Sequence, residues 1–297
     1  MPFIIERKID LTILKIEHED KIDQIQKKIK EVGKRVDVID ILNPTKRLRK
    51  AFNEFFYRPL KITYVMKAPE SLDSYLATLT RNRRKRILKC IRECEHKGIT
   101  LRKEEFLTQE SFKAFYKVYK KNIGEKKRGI MTLHKAWYAK RSHDACGVFA
   151  IRKKKIIGGI LLKKKRNSMS FCYSSSEKPY FGINDFLNVH AIVYTKELGF
   201  SHIIRGQDTN LYGHHLSPGL YLFKKSLGFS IQPRKKQGFA LTQIVNYDRF
   251  GDSIFFITIN DANKLEASLF LKNHYQKPDE FVADFIEKLH VYYIGKE

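Results

Sequence analysis

The chain predicts a mixed α/β fold of the α+β kind, a twisted and mostly antiparallel sheet flanked by helices. Three observations carry this. Along 297 residues the apolar spacing changes repeatedly between a period of two and a period of about 3.6. From Cys146 onward the order is strand, strand, strand, helix, strand, helix, strand. The first three of those strands are joined by short lysine-rich turns, Lys153–Lys155 and Lys163–Asn167, which suit antiparallel neighbours.

Taken in order, Phe3–Ile5 is a strand-like opening, and Lys21–Val32 places Ile22, Ile25, Ile29 and Val32 at helical spacing. Val36–Leu42 alternates apolar and acidic residues, the pattern of a half-buried strand. Asn43-Pro44-Thr45 breaks it, and Thr45 is suited to cap a short helix. Leu60–Met66 alternates again. From Ser71 to Lys97 the apolar residues keep one helical period, Gly98 closes that helix, and Ile99–Leu101 is a short strand. Ser111–Asn122 and Met131–Arg141 are further helices. Cys146–Arg152, Ile156–Lys163 and Ser168–Tyr173 are the three consecutive strands. Gly182–Leu198 is a helix stopped at Gly199, Ser201–Arg205 a strand, Ser217–Leu227 a helix stopped at Gly228, and Phe239–Val245 a strand. Ile254–Ile259 as a strand and Asp279–Leu289 as a helix complete the tail.

Apolar residues make up 42% of the chain, with 21 Phe and 15 Tyr, which supports a sizeable core and argues against disorder. No apolar run approaches the roughly 18–20 residues that span a bilayer. Residues 1–20 carry acids through their apolar stretch, so the reading is of a cytoplasmic protein without a signal peptide. Cys90, Cys94, Cys146 and Cys172 form no C-x-x-C pair and no Cys/His cluster, so no metal site is expected.

The charge is the unusual feature. Lys and Arg number 58 against 32 Asp and Glu, a net +26, and 40 of the basic residues against 15 acidic ones fall within residues 51–250. Either the composition is biased toward lysine, or the middle of the chain meets a polyanion: RNA, DNA, a nucleotide cofactor, an acidic carrier protein or a membrane surface.

Three segments carry a resemblance: the basic helix SYLATLTRNRRKRILKCIRECEHKG (residues 74–98), GVFAIRKKKIIGGILL (147–162), and GFSHIIRGQDTN followed by GLYLFKKSLGF (199–229). Together they resemble the GNAT superfamily, in particular its large double-domain branch of Fem-type aminoacyltransferases and related N-acyltransferases. The resemblance spans about residues 60–245 and rests on hydrophobic and glycine patterns. It implies a GNAT-like sheet, two GNAT-type subdomains, and amide formation by direct acyl transfer without a covalent enzyme intermediate. The expected division is an N-terminal α/β subdomain (1–130) with the long basic helix, an acyltransferase subdomain (131–250) and a strand–helix extension (251–297). No tightly bound cofactor is expected. The donors it implies are acyl-CoA, acyl carrier protein or aminoacyl-tRNA, all polyanionic, and the acceptor is an amine.

The resemblance places Phe223 and Lys224 beside the reacting ester, with the lysine steadying the developing oxyanion; helical periodicity alone reads Lys224 as solvated. Asp208, at a strand end, suits acceptance of a proton from the attacking ammonium, or else it caps a turn with Thr209 or Asn210. His214 and His215 in the same polar loop are candidate bases. Tyr173 and Tyr221 are candidate proton donors to the leaving group, or core aromatics. CoA-using relatives hold the pyrophosphate on a glycine-rich turn at a helix start. The corresponding stretch here, Ser174–Asp185, lacks the double glycine, and offers instead Ser174, Ser175, Ser176, Lys178, Gly182 and Asn184.

Arg81, Arg83, Arg84, Lys85, Arg86, Lys89 and Arg92 form a run with no acid from 81 through 92, whereas solvated helix faces usually alternate in sign. An anionic partner would relieve their repulsion. Lys126–Arg128, Lys153–Lys155, Lys163–Arg166 and Arg234–Lys236 are candidate extensions of that patch. Three functions follow: an N-acyltransferase using an acyl thioester, a Fem-like aminoacyltransferase using aminoacyl-tRNA, or a non-catalytic nucleic-acid-binding protein on the same fold.

Overall fold

Fifteen strands and eight helices follow one another through the described residues. The computed structural model describes residues 3–8, 10–17, 21–125, 131–178, 182–214, 216–273 and 277–294. The chain begins with β1 (Phe3–Lys8), β2 (Leu11–Ile16), α1 (Ile22–Val32), β3 (Val38–Leu42), α2 (Lys46–Ala51), β4 (Phe56–Pro59) and β5 (Lys61–Lys67). Next, α3 (Leu72–Ala77), α4 (Arg81–His96), β6 (Thr100–Glu104), α5 (Gln109–Gly124) and α6 (Ala136–Arg141) lead into β7 (Ala145–Arg152), β8 (Lys155–Lys165) and β9 (Ser168–Ser176). The remainder is α7 (Ile183–Glu197), β10 (His202–Thr209), α8 (Pro218–Ser226), β11 (Ser230–Pro233), β12 (Phe239–Ile244), β13 (Ser253–Ile259), β14 (Leu265–Leu271) and β15 (Leu289–Tyr293).

The strands form three sheets, ordered β1-β2-β3-β12-β4, β11-β5-β10-β9-β8-β7-β6 and β13-β14-β15. Most pairs are antiparallel; β2/β3, β9/β10 and β14/β15 are parallel. This is the mixed, mostly antiparallel α/β architecture the sequence predicts. Among the described residues no helix is long and apolar enough to cross a membrane.

By its contacts the chain divides into a first unit, Met1–Thr63, Gln207–Lys225 and Ser230–Glu297, and a second unit, Tyr64–Gly206 and Ser226–Phe229. The division falls at positions 63/64 and 206/207 rather than near residues 130 and 250. In the first unit β12 pairs with both β3 and β4, so a strand from late in the chain completes a sheet begun by the first 60 residues.

In that unit α1 lays Ile25 and Val32 into a core with Leu14, Ile16, Ile39, Ile41 and Leu48. Thr45 caps α2, its Oγ1 accepting from the Leu48 backbone N–H at 3.3 Å. Strand β3 departs from the half-buried expectation: Val38, Ile39, Asp40 and Ile41 are all buried. The acids are tolerated because each is bonded. Asp37 accepts from the Thr12 N–H, and both oxygens of Asp40 accept from Arg58, at 3.0 and 3.1 Å. The tail also departs from expectation. Asp279–Leu289 forms no α-helix; Pro278–Phe281 is a single 3-10 turn, and the chain then runs as β15 beside β14. Phe281, Ala283 and Ile286 are buried at irregular spacing, and the Ile286 N–H donates to the Ala283 carbonyl at 2.8 Å, so they anchor an irregular, turn-containing segment rather than one helix face.

In the second unit the meander β7-β8-β9 holds as predicted. Lys153 and Lys154 sit at the β7–β8 turn with φ of 47° and 64°, the left-handed conformation that matches a two-residue hairpin to the strand twist. Opposite Leu161 and Leu162 the pairing shifts from Tyr173 to Phe171, so Cys172 is an extra residue in β9. The single helix expected over Ser71–Lys97 is two. Ser71 caps α3 through a reciprocal bond with Ser74, and Thr80 caps α4 by accepting from the Arg83 N–H. Two side-chain caps make separate helix starts cheaper than one continuous run.

The central helix α7 buries most of its residues and carries His190, whose Nε2 is buried with no hydrogen-bond partner among the described residues. Burial, reinforced by the Lys103 charge, lowers its pKa from 6.5 to about 4. The folded state therefore resists protonation that the unfolded chain accepts. The contribution is complete above pH 6.5 and is lost as pH falls from 6.5 toward 4, to a total of about 2–3 kcal/mol. The expected result is that His190→Gln flattens the stability profile in that window, measured as the wild type minus variant difference in urea unfolding. Parallel profiles would overturn this.

Candidate active site

The first unit brings together two of the residues singled out by the sequence, Asp208 and Lys224. Asp208 lies near the end of β10, and α8 places Tyr221 and Lys224 three residues apart, hence on one buried face. Lys224 Nζ lies 2.7 Å from Asp208 Oδ2, with both side chains 7% exposed. The Tyr212 hydroxyl donates to the same oxygen at 2.8 Å. A buried carboxylate thus receives one charged and one neutral donor, which satisfies the lysine in a place where an unpaired ammonium would be costly.

The loop after β10 is held firmly. Asn210, fully buried, donates to the carbonyls of Pro59 and Ile257 at 2.8 and 2.7 Å and accepts from the Ile257 N–H at 2.8 Å. Its own carbonyl accepts from Arg58 at 3.1 Å. Arg58 is the hub of a buried cluster in which its Nε donates to Thr242 Oγ1 at 2.6 Å while Thr242 bonds Asp40 at 2.5 Å. Tyr212 and Phe255 exchange backbone hydrogen bonds at 2.8 and 3.1 Å. Gly213 has φ +120°, and a Cβ there would run into the Ser253 carbonyl, so only glycine fits the close approach. The backbone around Asp208 and Tyr212 is therefore held by contacts that do not involve the lysine.

The remaining candidates in this unit fall elsewhere. Tyr221 is wholly buried and donates its hydroxyl to the Phe281 carbonyl at 2.8 Å. Burial pushes its phenol well above the usual range, so it anchors α8 instead of offering a proton. His214 is buried edge-on to Phe250, with ring centroids 6.0 Å apart. His215 lies outside the described residues. Phe223 is half-buried on α8.

The candidate donor-binding residues are in the second unit. Ser175 accepts from Asn122 at 3.1 Å, and Ser176 donates to Asn184 at 3.0 Å, so both hydroxyls are spent inside the protein; Ser174 is exposed. Lys178 is exposed, 3.9 Å from Glu125. Gly182 precedes α7 with φ +76°, where a Cβ would lie 2.6 Å from the Cys90 sulfur. Close packing of that helix start against α4 thus demands glycine. Tyr173 donates to the Thr132 carbonyl at 3.2 Å and packs edge-on against Tyr119 and Trp137. Burial, with Cys172 and Tyr119 adding, raises its pKa. Trp137, half-buried, stacks on Phe112 at the margin of the core that holds Phe115 and Phe149.

The basic run divides by helix face. Arg83 turns inward and forks onto the buried Asp185 at 3.0 and 2.5 Å, with Arg86 Nε 3.4 Å from the same carboxylate. Arg84 donates to the Leu76 and Ala77 carbonyls, closing α3. These three serve the protein's own structure. Arg81, Lys85, Lys89 and Arg92 remain exposed, and at 100° per residue they fall within an arc of about 80°. Lys89 has a loose partner in Glu93 at 3.7 Å. Of the proposed extensions, Lys163 and Lys164 pair with Asp144 and Glu105, Lys153–Lys155 are exposed, and Lys126–Arg128 lie outside the described residues. The thiols of Cys90 and Cys94 are buried, and burial followed by its neighbour Cys90 pushes Cys94 up to about 11.

The sequence reading missed Tyr212, Asn210, Arg58 and Asp40. Tyr212 is four residues from Asp208 within a loop already singled out, and an aromatic there was available as a signal. Asp40 showed itself only as an acid in an apolar strand.

No family model matches the chain, and no curated protein matches it in sequence. Solved structures do resemble it. FemX is similar over 83% of this chain and 84% of its own, at 13% identity and a TM-score of 0.47. L-PGS from Bacillus licheniformis is similar over 82% of this chain and 81% of its own, at 16% identity and a TM-score of 0.40. A GNAT-family acetyltransferase from Streptococcus pneumoniae is similar over 44% of this chain and 87% of its own, at 18% identity and a TM-score of 0.33.

Proposed function

We propose that the chain is an N-acyltransferase, passing an acyl group directly from an acyl thioester, on coenzyme A or on an acyl carrier protein, to an amine. The observation that carries this reading is the buried Lys224 ammonium held by Asp208 at 2.7 Å, at the position where the sequence resembles the Fem-type branch. A buried ion pair adds little net stability, because desolvating two charges offsets their attraction. A cation fixed away from water is, however, what a developing oxyanion needs.

In the proposed step the neutral amine nitrogen attacks the donor carbonyl carbon and forms the C–N bond. The carbonyl π pair moves to oxygen, where the Lys224 ammonium stabilises it. Collapse breaks the C–S bond and releases a thiolate, and the extra proton on nitrogen passes to Asp208, directly or through water. Tyr212 and Lys224 both donate to Asp208 Oδ2 and hold the carboxylate in one orientation.

A second reading, with aminoacyl-tRNA as donor and a ribose ester in place of the thioester, is favoured by two observations. The exposed arc Arg81, Lys85, Lys89 and Arg92 suits a long phosphate backbone. The Ser175 and Ser176 hydroxyls are occupied within the protein, which weakens a pyrophosphate site there. Native mass spectrometry of the purified chain tests both readings. Co-purified coenzyme A or acyl carrier supports the first, and bound tRNA that loses its aminoacyl group to an added amine supports the second. Bound nucleic acid without any transfer activity overturns both in favour of a pure binder.

A further inference from the structure

The first unit holds a cleft of about 730 Å³ that the residues described above do not use. Its walls are α2 with the start of β4 on one side and the sheet β13-β14-β15 on the other. The volume is within the roughly 300–1,000 Å³ of small-molecule sites. What lines it is more informative than its size.

One rim is cationic. Helix α2 reads KRLRKA, and burial of Leu48 in the core leaves Lys46, Arg49 and Lys50 beside the cleft. Lys46 and Lys50 are exposed, stand four apart, and have no acidic partner among the described residues. Arg49 bridges the mouth to Asp261 at 2.7 Å, but that carboxylate is fully solvent-exposed, so the bridge is cheap to open.

The opposite wall is a sheet face. Alternation along β15 turns His290 and Tyr292 to the same side, and the ladder sets them beside Ser268 and Phe270 of β14. Tyr292 stacks one ring face on Phe270, with centroids 4.6 Å apart and planes at 16°, and the residue is 38% exposed. It is a ready platform for another flat ring. Deeper in, Ser268 and Thr258 are buried where a sheet packing on its neighbour ordinarily places bulk, and these small hydroxyl residues leave the space open. His290 and Asn260 both bond Glu266, at 2.9 and 3.0 Å. Burial pushes the Glu266 carboxyl up, but those bonds outweigh it and keep it ionised below the usual carboxylate value. The polar wall is thus already organised.

We propose that this cleft binds a nucleotide-sized phosphate ester with a planar ring, the ring lying on Tyr292 and the phosphate meeting Lys46, Lys50 and Arg49. Asp261 acts as a tethered competitor: the incoming phosphate takes its place on Arg49. The proposal is independent of the transfer reaction, because no residue of the Lys224–Asp208 group lines the cleft.

Isothermal titration of the full chain with AMP, UMP, GMP and pyridoxal 5′-phosphate is the test, with adenosine and ribose 5-phosphate as half-ligands. At least one of the four esters is expected to bind below about 1 mM, and each half-ligand about tenfold more weakly. The double variant Lys46→Ala/Lys50→Ala is expected to weaken binding about tenfold or more, and Tyr292→Leu to weaken the ester but not ribose 5-phosphate. Asp261→Ala is expected to tighten binding by up to about fivefold, the upper worth of an exposed ion pair. Lys224→Met is expected to leave the titration unchanged, which separates this site from the transfer chemistry. All of these cleft positions except part of Tyr292 are exposed, and melting curves confirm that the variants fold. Absence of binding by all four esters, binding unchanged in the lysine double variant, or a half-ligand binding as tightly as its ester overturns the proposal.

Discussion

Lys224→Met is expected to lower the rate of amide formation by about 10²–10³-fold, the usual cost of removing one donor from a developing oxyanion. Methionine keeps the unbranched stem that packs on α8 and removes only the charge. The variant leaves Asp208 buried beside the Tyr212 hydroxyl without its charged donor, a loss of roughly 1–3 kcal/mol in stability. Activity and melting temperature should therefore both be measured, at a temperature where the variant is fully folded. Lys225→Met is the matched control: its Nζ donates to the Glu280 carbonyl at an exposed position and touches none of the group around Asp208. Asp208→Asn separates the two roles of the carboxylate. It retains an oxygen facing Lys224 but cannot take a proton, so activity is expected to fall while Tyr212 keeps an acceptor. Full activity in Lys224→Met with any donor would remove the ammonium from the mechanism.

Asp40→Ala is expected to be the most destabilising of the substitutions considered, by about 3–5 kcal/mol. The reason is what it leaves behind. Arg58 is 4% exposed at its side chain and gives both Nη2 bonds to Asp40, with Nη1 on the Asn210 carbonyl and Nε on Thr242. Without the aspartate its charge stays buried without a counter-ion. At roughly 2–4 °C per kcal/mol for a unit of this size, the melting temperature should fall by about 10 °C or more. The double variant Asp40→Leu/Arg58→Met is expected to recover most of that loss, because it removes both charges together. A single variant as stable as the wild type would show that the cluster is not desolvated. The double variant carries a further consequence, since Arg58 also holds the Asn210 carbonyl two residues from Asp208. It should fold yet show weaker transfer activity, a loss of positioning rather than of a reacting group.

The order of elements was largely legible in the sequence. The meander from Cys146, the helix ahead of Gly199 and the cap at Thr45 are all encoded by residues within a few positions of one another, and so is the bias of α4. On a helical wheel Arg83 already falls among Cys90 and Cys94, on the buried side, while Arg81, Lys85, Lys89 and Arg92 fall together outside. Strands β2, β4, β11, β14 and β15 were not read. Most are short, and β15 is a strand only because β14 offers its edge, a fact that no local period contains.

The candidate site shows the same division. Lys224 was recognisable as a residue of interest, but whether it was solvated or buried depended on Asp208 arriving 16 positions earlier in sequence and 2.7 Å away in space. Asp185 stands 102 residues from the Arg83 it neutralises, and Thr242 stands 202 from the Asp40 it bonds. Sequence by itself determined the alternation of helix and strand, the surplus of cations and which of them share a helix face, because those are properties of neighbours along the chain. Only the tertiary structure decided which charges are paired and which remain for a ligand. Coulombic partners and dehydration act through space, and the distances that govern them are set when remote strands close the sheets.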